Sequence, residues 1–107
     1  MKFMTISSWK DTFSSFPKAE QGKHSLASLQ FILDLKKKMG DKYHFYSEVG
    51  WGQSVSIGDF DSIEEFSQSI MSSPGYQGGY TKFESYPLME ADEKVLKSAL
   101  DNLKAAK

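Results

Sequence analysis

The stretch Tyr43-His44-Phe45-Tyr46-Ser47-Glu48-Val49-Gly50-Trp51-Gly52-Gln53-Ser54-Val55-Ser56-Ile57-Gly58 reads as a β-hairpin, and the way its two arms pair decides the rest of the fold. Tyr43, Phe45 and Val49 occupy odd positions, and His44, Tyr46 and Glu48 the even ones, the period of two of a half-buried strand. A three-residue turn at Gly50, Trp51 and Gly52 pairs Val49 with Gln53, Ser47 with Val55 and Phe45 with Ile57. A two-residue turn sets Phe45 opposite Ser56 and His44 opposite Ile57, mixing apolar with polar on each face. Because register is strongly specified wherever one face is buried, the three-residue turn is the expectation.

Outward from the hairpin, Lys2 to Trp9 alternates as a first strand, with Met4 and Ile6 on one face and Phe3, Thr5, Ser7 and Trp9 on the other. Asp11 to Gly22 is punctuated by serines, Pro17 and Gly22, so an irregular or one-turn helical connection is expected there. A long helix follows from about Ser25 to Met39, with Leu26, Leu29, Phe31, Ile32, Leu33, Leu35 and Met39 forming a wide apolar stripe. Lys36, Lys37 and Lys38 suit the last turn, since cations favour the negative end of the helix dipole, and Gly40 is the expected stop. His24 falls just before this helix, as a surface residue. After the hairpin, Asp61 with Glu64 three residues later predicts a helix N-terminus, and Ile63, Phe66 and Ile70 lie at helical spacing until Pro74-Gly75. Tyr80 to Leu88 alternates as a fourth strand, in which Pro87 marks an end or an edge. A last helix spans roughly Ala91 to Ala106, with Val95, Leu96, Ala99, Leu100 and Leu103 on one side, and is expected to dock on its own subunit or across a dimer.

The order strand, helix, strand, strand, helix, strand is the split βαβ, or ferredoxin-like, arrangement: an α+β fold with an antiparallel sheet and its helices on one face. Right-handed crossovers put the first and third strands in the middle. Residues 1–90 form this domain and 91–107 a C-terminal helical extension. Met4, Ile6, Phe45, Val49, Val55, Ile57 and Phe83 are expected beneath the helices. The opposite face then carries Phe3, Thr5, Ser7, Trp9, His44, Tyr46, Glu48, Ser54, Ser56, Tyr80, Lys82, Glu84 and Tyr86. So many rings on an open face imply a cover.

Composition narrows the function classes. The chain has 107 residues, 39% hydrophobic and 25% charged, with no cysteine, which removes disulfides and thiolate chemistry. Net charge is −1, and all 13 cations are lysine. A nucleic-acid partner is therefore not expected, and the planar fork that grips phosphates and carboxylates is missing throughout. No segment approaches a membrane span, so a cytoplasmic location and no membrane partner are expected. Asp59 and Asp61 have no third ligand at suitable spacing, and two distant histidines make no cluster, so neither a metal nor a cofactor is expected. The glycines at 75, 78 and 79 lie between helix and strand and serve the turn, not a phosphate.

Met1-Lys2-Phe3-Met4, the Val49-Gly50-Trp51-Gly52 turn, Asp59-Phe60-Asp61 and Phe83-Glu84-Ser85-Tyr86-Pro87, in this order, resemble the dimeric α/β-barrel superfamily over residues 1 to about 90. Within it they are most similar to a small family of domains of unknown function. The resemblance implies two ferredoxin-like subunits joined through their open sheet faces. Its members include cofactor-independent monooxygenases, haem-degrading enzymes, lactone isomerases and stress-responsive proteins, and fold does not choose among them. No residue stands out as catalytic. The candidate ligand-binding residues are His44, Tyr46 and Glu48, three side chains in a row on one strand, with Trp9, Tyr80 and Tyr86 as aromatic walls. Such walls suit a small, weakly polar or aromatic molecule in a pocket of a homodimer. A dimerisation module without chemistry, and a monooxygenase- or isomerase-like enzyme, are the alternatives.

Overall fold

The computed structural model describes residues 1–106. Strand β1 (Lys2–Trp9) leads through a one-turn helix α1 (Asp11–Ser15) into α2 (Lys18–Met39), and a 3-10 turn delivers the chain to β2 (Tyr43–Ser47). Then come β3 (Gln53–Asp59), α3 (Ile63–Met71), a single helical turn α4 (Pro74–Gln77), β4 (Thr81–Leu88) and α5 (Glu93–Ala105). The strands are antiparallel in the order β2-β3-β1-β4, with the first and third central as expected.

Local chemistry explains the boundaries. Helix α2 starts seven residues earlier than its apolar stripe suggests, immediately after Pro17, whose fixed φ suits a helix entrance. It ends at Gly40, where φ is +58°, a left-handed value that glycine adopts without penalty. The N-cap of α3 is Ser62, not Asp61: the Glu65 N–H donates to Ser62 Oγ (3.1 Å), and the Asp61 N–H donates back to Glu65 Oε2 (3.2 Å). This is a variant of the capping box moved by one residue, in which the return bond comes from the N–H of the residue before the cap. Ser73 caps α4 by accepting from the Tyr76 N–H. Gly75 is required by close approach, because a Cβ there would run into the side chain of Thr81.

The hairpin register differs from the expectation. The observed pairs are Tyr43 with Gly58, His44 with Ile57, Phe45 with Ser56, Tyr46 with Val55 and Ser47 with Ser54. The Glu48 N–H donates to the Gln53 carbonyl (3.0 Å), so the turn holds four residues, Val49 to Gly52, and the parity changes. The Trp51 N–H donates to the Glu48 carbonyl (3.0 Å), with Trp51 at φ +60°.

Propagated across the sheet, this pairing reverses the two central strands. Phe3, Thr5, Ser7 and Trp9, with Ser54, Ser56 and Gly58, lie beneath the helices, beside Tyr43, Phe45 and Ser47 on one side and Thr81, Phe83 and Ser85 on the other. Met4, Ile6, Val55 and Ile57 face away from the helices, contrary to expectation. Aliphatic residues do not mark the helix side of this sheet. In the fold, aromatic rings do that work, and the aliphatic residues form the centre of the uncovered face.

Two aromatic clusters hold the helices over the sheet. At one end Phe3 stacks on Phe66 (4.2 Å between centroids) with Phe60 edge-on to both, and Met39 and Ile70 pack against them. At the other, Trp9 stacks on Phe13 (4.0 Å), and Tyr80 packs among Trp9, Phe13, Phe16 and His24. Tyr80 is only 1% exposed and precedes β4, so it belongs to neither sheet face. His24 is not a surface residue ahead of the helix. It lies in the second turn of α2, 4.4 Å from the Tyr80 ring, and its carbonyl accepts from the Tyr80 hydroxyl (3.4 Å).

Helix α5, capped by Asp92 through the Val95 N–H (2.9 Å), forms as expected but projects from the body, sharing no extensive contact with any other element. The radius of gyration, 17.3 Å, is well above the roughly 13 Å of a compact domain this size, and the longest dimension is 58 Å.

Candidate functional site

Between the two aromatic clusters lies a cavity of about 440 Å³, within the usual range for small-molecule sites. Its origin is steric. Positions 3 and 9 of β1 carry large rings that hold the helices off the sheet, while positions 5 and 7, about 7 Å apart along the strand, carry only Thr5 and Ser7. The neighbouring strand supplies Ser54 and Ser56 at the same level. Above them α2 presents Ser25 and Ser28, one turn apart, followed by Ile32 and Leu35, and α3 adds Ser69. Small residues thus face small residues across the layer, and the gap stays open.

The polar inventory of the cavity is almost entirely hydroxyl. Thr5 is buried, and its Oγ1 lies 3.1 Å from Ser85 Oγ. Burial pushes the Tyr43 phenol above its ordinary pKa, with hydrogen bonding to Ser56 partly opposing the shift. Phe45, Phe83, Trp9 and Trp51 give the walls their apolar character. Among the described residues the lining includes no carboxylate, imidazole or ammonium group. At the hairpin end Trp51 reaches the cavity from the turn, and the Trp9 indole N–H donates to the Trp51 carbonyl (3.1 Å), tying the turn to the end of β1.

The six candidate residues do not converge. Trp9 lines the cavity, and Tyr80 stands behind it, 6.0 Å away ring to ring, supporting the wall without lining it. His44, Tyr46 and Tyr86 lie on the uncovered sheet face, exposed, in cross-strand rows with the aliphatic residues: His44, Ile57, Met4 and Tyr86 in one, Tyr46, Val55, Ile6 and Glu84 in the next. The Tyr86 hydroxyl donates to Glu84 Oε2 (3.3 Å). Glu48 lies just before the turn, where its carboxylate would crowd any side chain at Gly52. Thr5, Ser7, Ser54 and Ser56 share one face with Trp9, as expected from parity, but that face is the helix side and not the side of His44 and Tyr46 beside which they were expected to leave room. Sequence reasoning missed Phe45 and Trp51 as walls, and Ser25 and Ser28, whose i, i+3 spacing on a helix was the available signal.

No group of three or more histidine, cysteine, aspartate or glutamate residues that could hold a metal ion occurs among the described residues. No described helix is long and apolar enough to cross a membrane.

This architecture is the ferredoxin-like α+β fold, an antiparallel four-stranded sheet with its helices on one face. Muconolactone isomerase superposes with a TM-score of 0.68 at 16% identity, over 87% of this chain and 93% of that one. The 5-chloro-2-hydroxyhydroquinone dehydrochlorinase TftG of Burkholderia phenoliruptrix AC1100, in complex with 2,5-dihydroxybenzoquinone, gives 0.59 at 13% identity, over 84% of this chain and 95% of that one. No protein-family model matches the chain, and no curated protein matches it.

Proposed function

We propose that this protein binds a small, uncharged, oxygen-bearing ring compound in the cavity between sheet and helices. The observation that carries this reading is the lining itself: hydroxyls on both floor and roof, aromatic walls, and no formal charge. A planar apolar ring gains dispersion and stacking from Trp9, Phe45, Phe83 and Trp51, and its oxygen substituents find both donors and acceptors in Thr5, Ser7, Ser54 and Ser56. A carboxylate or phosphate would be desolvated there without a counter-charge, a cost of several kcal/mol that this pocket does not offset. The two structural relatives handle ring compounds by name, which agrees in size and shape with this class. Binding without acid–base catalysis is favoured over an isomerase-like reaction, because proton transfer near neutral pH needs a group that titrates there and none lines the cavity.

The same reading makes the protein a homodimer joined through the uncovered sheet face. Met4, Ile6, Val55 and Ile57 form its centre and Tyr46 and Tyr86 its flanks, while Phe3, Trp9 and Tyr80, earlier expected there, are spent inside the subunit. His44, Tyr46 and Tyr86 then serve association, and Trp9 serves the ligand. The test is amide and indole NMR during titration with phenol, catechol, hydroquinone and a neutral lactone, with benzoate as the charged control. Shifts at Thr5, Ser7, Ser54, Ser56 and the Trp9 indole with a neutral ring, and none with benzoate, support the reading. Shifts confined to His44, Tyr46 and Tyr86, or a preference for benzoate, overturn it.

A further inference from the structure

Helix α5 is amphipathic and unpartnered. Leu96, Leu100 and Leu103 recur at i, i+4 and i+7 along one side and are 58%, 51% and 70% exposed. A 13-residue helix has little stability of its own in water, so a stripe of this kind implies a surface that covers it. A second unpartnered stripe exists on the chain. The inner side of α2 carries His24, Ser25, Ser28, Ile32, Leu35 and Met39; Leu26 and Leu33 are left exposed on its outer side, and Leu29, between them at i, i+3 and i+7, borders the cavity while staying 46% exposed. Gly22 continues that outer stripe. A Cβ there would meet nothing within 4 Å, so nothing among the described residues accounts for a glycine that costs a helix interior about 1 kcal/mol.

We propose that α5 of one molecule packs antiparallel on the outer Leu26–Leu29–Leu33 stripe of α2 in a second copy of the chain. The spacings interlock: Leu103 meets Leu26, Leu100 meets Leu29 and Leu96 meets Leu33. Charge selects the direction. Antiparallel alignment sets the acidic start of α5, Asp92 and Glu93, beside the basic end of α2, Lys36 and Lys37, and brings Lys97 near Asp34, with the two helix dipoles opposed. The contact joins different patches on the two molecules and lies on the helix side, away from the uncovered sheet face. It therefore links sheet-paired dimers into an assembly larger than two subunits. Through Leu29, which also lines the cavity, the contact borders that space without entering it.

The absence of cysteine makes the test direct. Leu26→Cys and Leu103→Cys proteins, one carrying a size tag, are mixed and mildly oxidised, and the products are separated without reductant. Both side chains are exposed, so neither change disturbs packing within the subunit. The expected result is a tagged–untagged cross-link formed in at least fivefold excess over either self-linked species, together with a sedimentation mass above that of a dimer that falls when Leu100 is changed to Glu. Preferential linkage of Leu33→Cys to Leu103→Cys would show parallel packing and overturn the proposal. So would Leu103→Cys linking chiefly to itself, an intrachain bond in the Leu26→Cys/Leu103→Cys double variant, or no cross-link at all.

Discussion

The two faces of one sheet, built from alternate residues of the same four strands, differ in what they lack. The covered face has rings at its ends and hydroxyls in its middle, and lacks aliphatic bulk, so the helices above it enclose space. The uncovered face has aliphatic side chains in its middle and charged or phenolic ones around them, and lacks a partner among the described residues. Alternation therefore does not sort these strands into apolar inside and polar outside. It sorts them into a face that encloses space beneath the helices and a face that carries its aliphatic side chains in the open, and either arrangement can follow from the same period of two.

The largest effect should come from removing a ring that spaces the covered face. Phe3→Ala takes away the centre of the Phe3–Phe60–Phe66 cluster and should cost about 3–5 kcal/mol in denaturant unfolding. Loss of less than about 1 kcal/mol would mean that the rings do not hold the layers together. On the other face, Ile57→Asp introduces a charge at the centre of the aliphatic patch. It should weaken dimerisation by about 2–4 kcal/mol, or at least roughly thirtyfold in Kd, read by sedimentation. NMR shifts caused by a neutral ring ligand should survive that substitution, because the cavity lies on the opposite side. If they vanish, the two faces are not separable as described.

A smaller change sharpens the chemistry of the covered face. Ser54→Ala should alter stability by no more than about 0.5 kcal/mol, yet lower the affinity for a hydroxylated ring by about 1 kcal/mol, or fivefold. An equal loss for an unsubstituted ring would show that shape, not hydrogen bonding, is being read.

The smallest effects are the pH limits, one for each face. The raised pKa of Tyr43 favours the neutral phenol in the fold, so its contribution is complete below the ordinary phenol range and is lost as pH rises through the folded value. Tyr43→Phe should make the thermal midpoint less sensitive to alkali. On the uncovered side, Asp59 accepts from the N-terminal ammonium group (3.0 Å), which holds its carboxyl below the usual range, aided by the charges of that group, Lys2 and Lys42 and only partly offset by desolvation. Here the sign is opposite: the contribution is present above the ordinary carboxylate range and disappears as pH falls through the lowered value. Asp59→Asn should lower the midpoint slightly at pH 7 and converge with the unsubstituted protein in acid. A constant difference at all pH values would dissociate it from this charge pair.

Periodicity alone was enough to find β1, to place β2 and β3 as a hairpin, and to locate the final helix, because each is a local pattern repeated over several residues. Element order then supplied the ferredoxin-like topology and the β2-β3-β1-β4 arrangement, through the handedness of crossovers. Even the grouping of Thr5, Ser7, Ser54 and Ser56 with Trp9 was legible, since parity within a strand is fixed by the pleat. Which way that group points was not. The direction depends on a single extra residue in the Val49–Gly52 turn, and on whether Phe3, Phe60 and Phe66 or Met4, Ile6 and Ile57 win the space under the helices. Burial of either set is favourable, so only packing against α2 and α3 breaks the tie. The same holds for His24 and Tyr80, whose surroundings are made by residues more than fifty positions apart in the chain. A side chain's neighbours across such separations are set by how whole layers meet, and no local pattern carries that information.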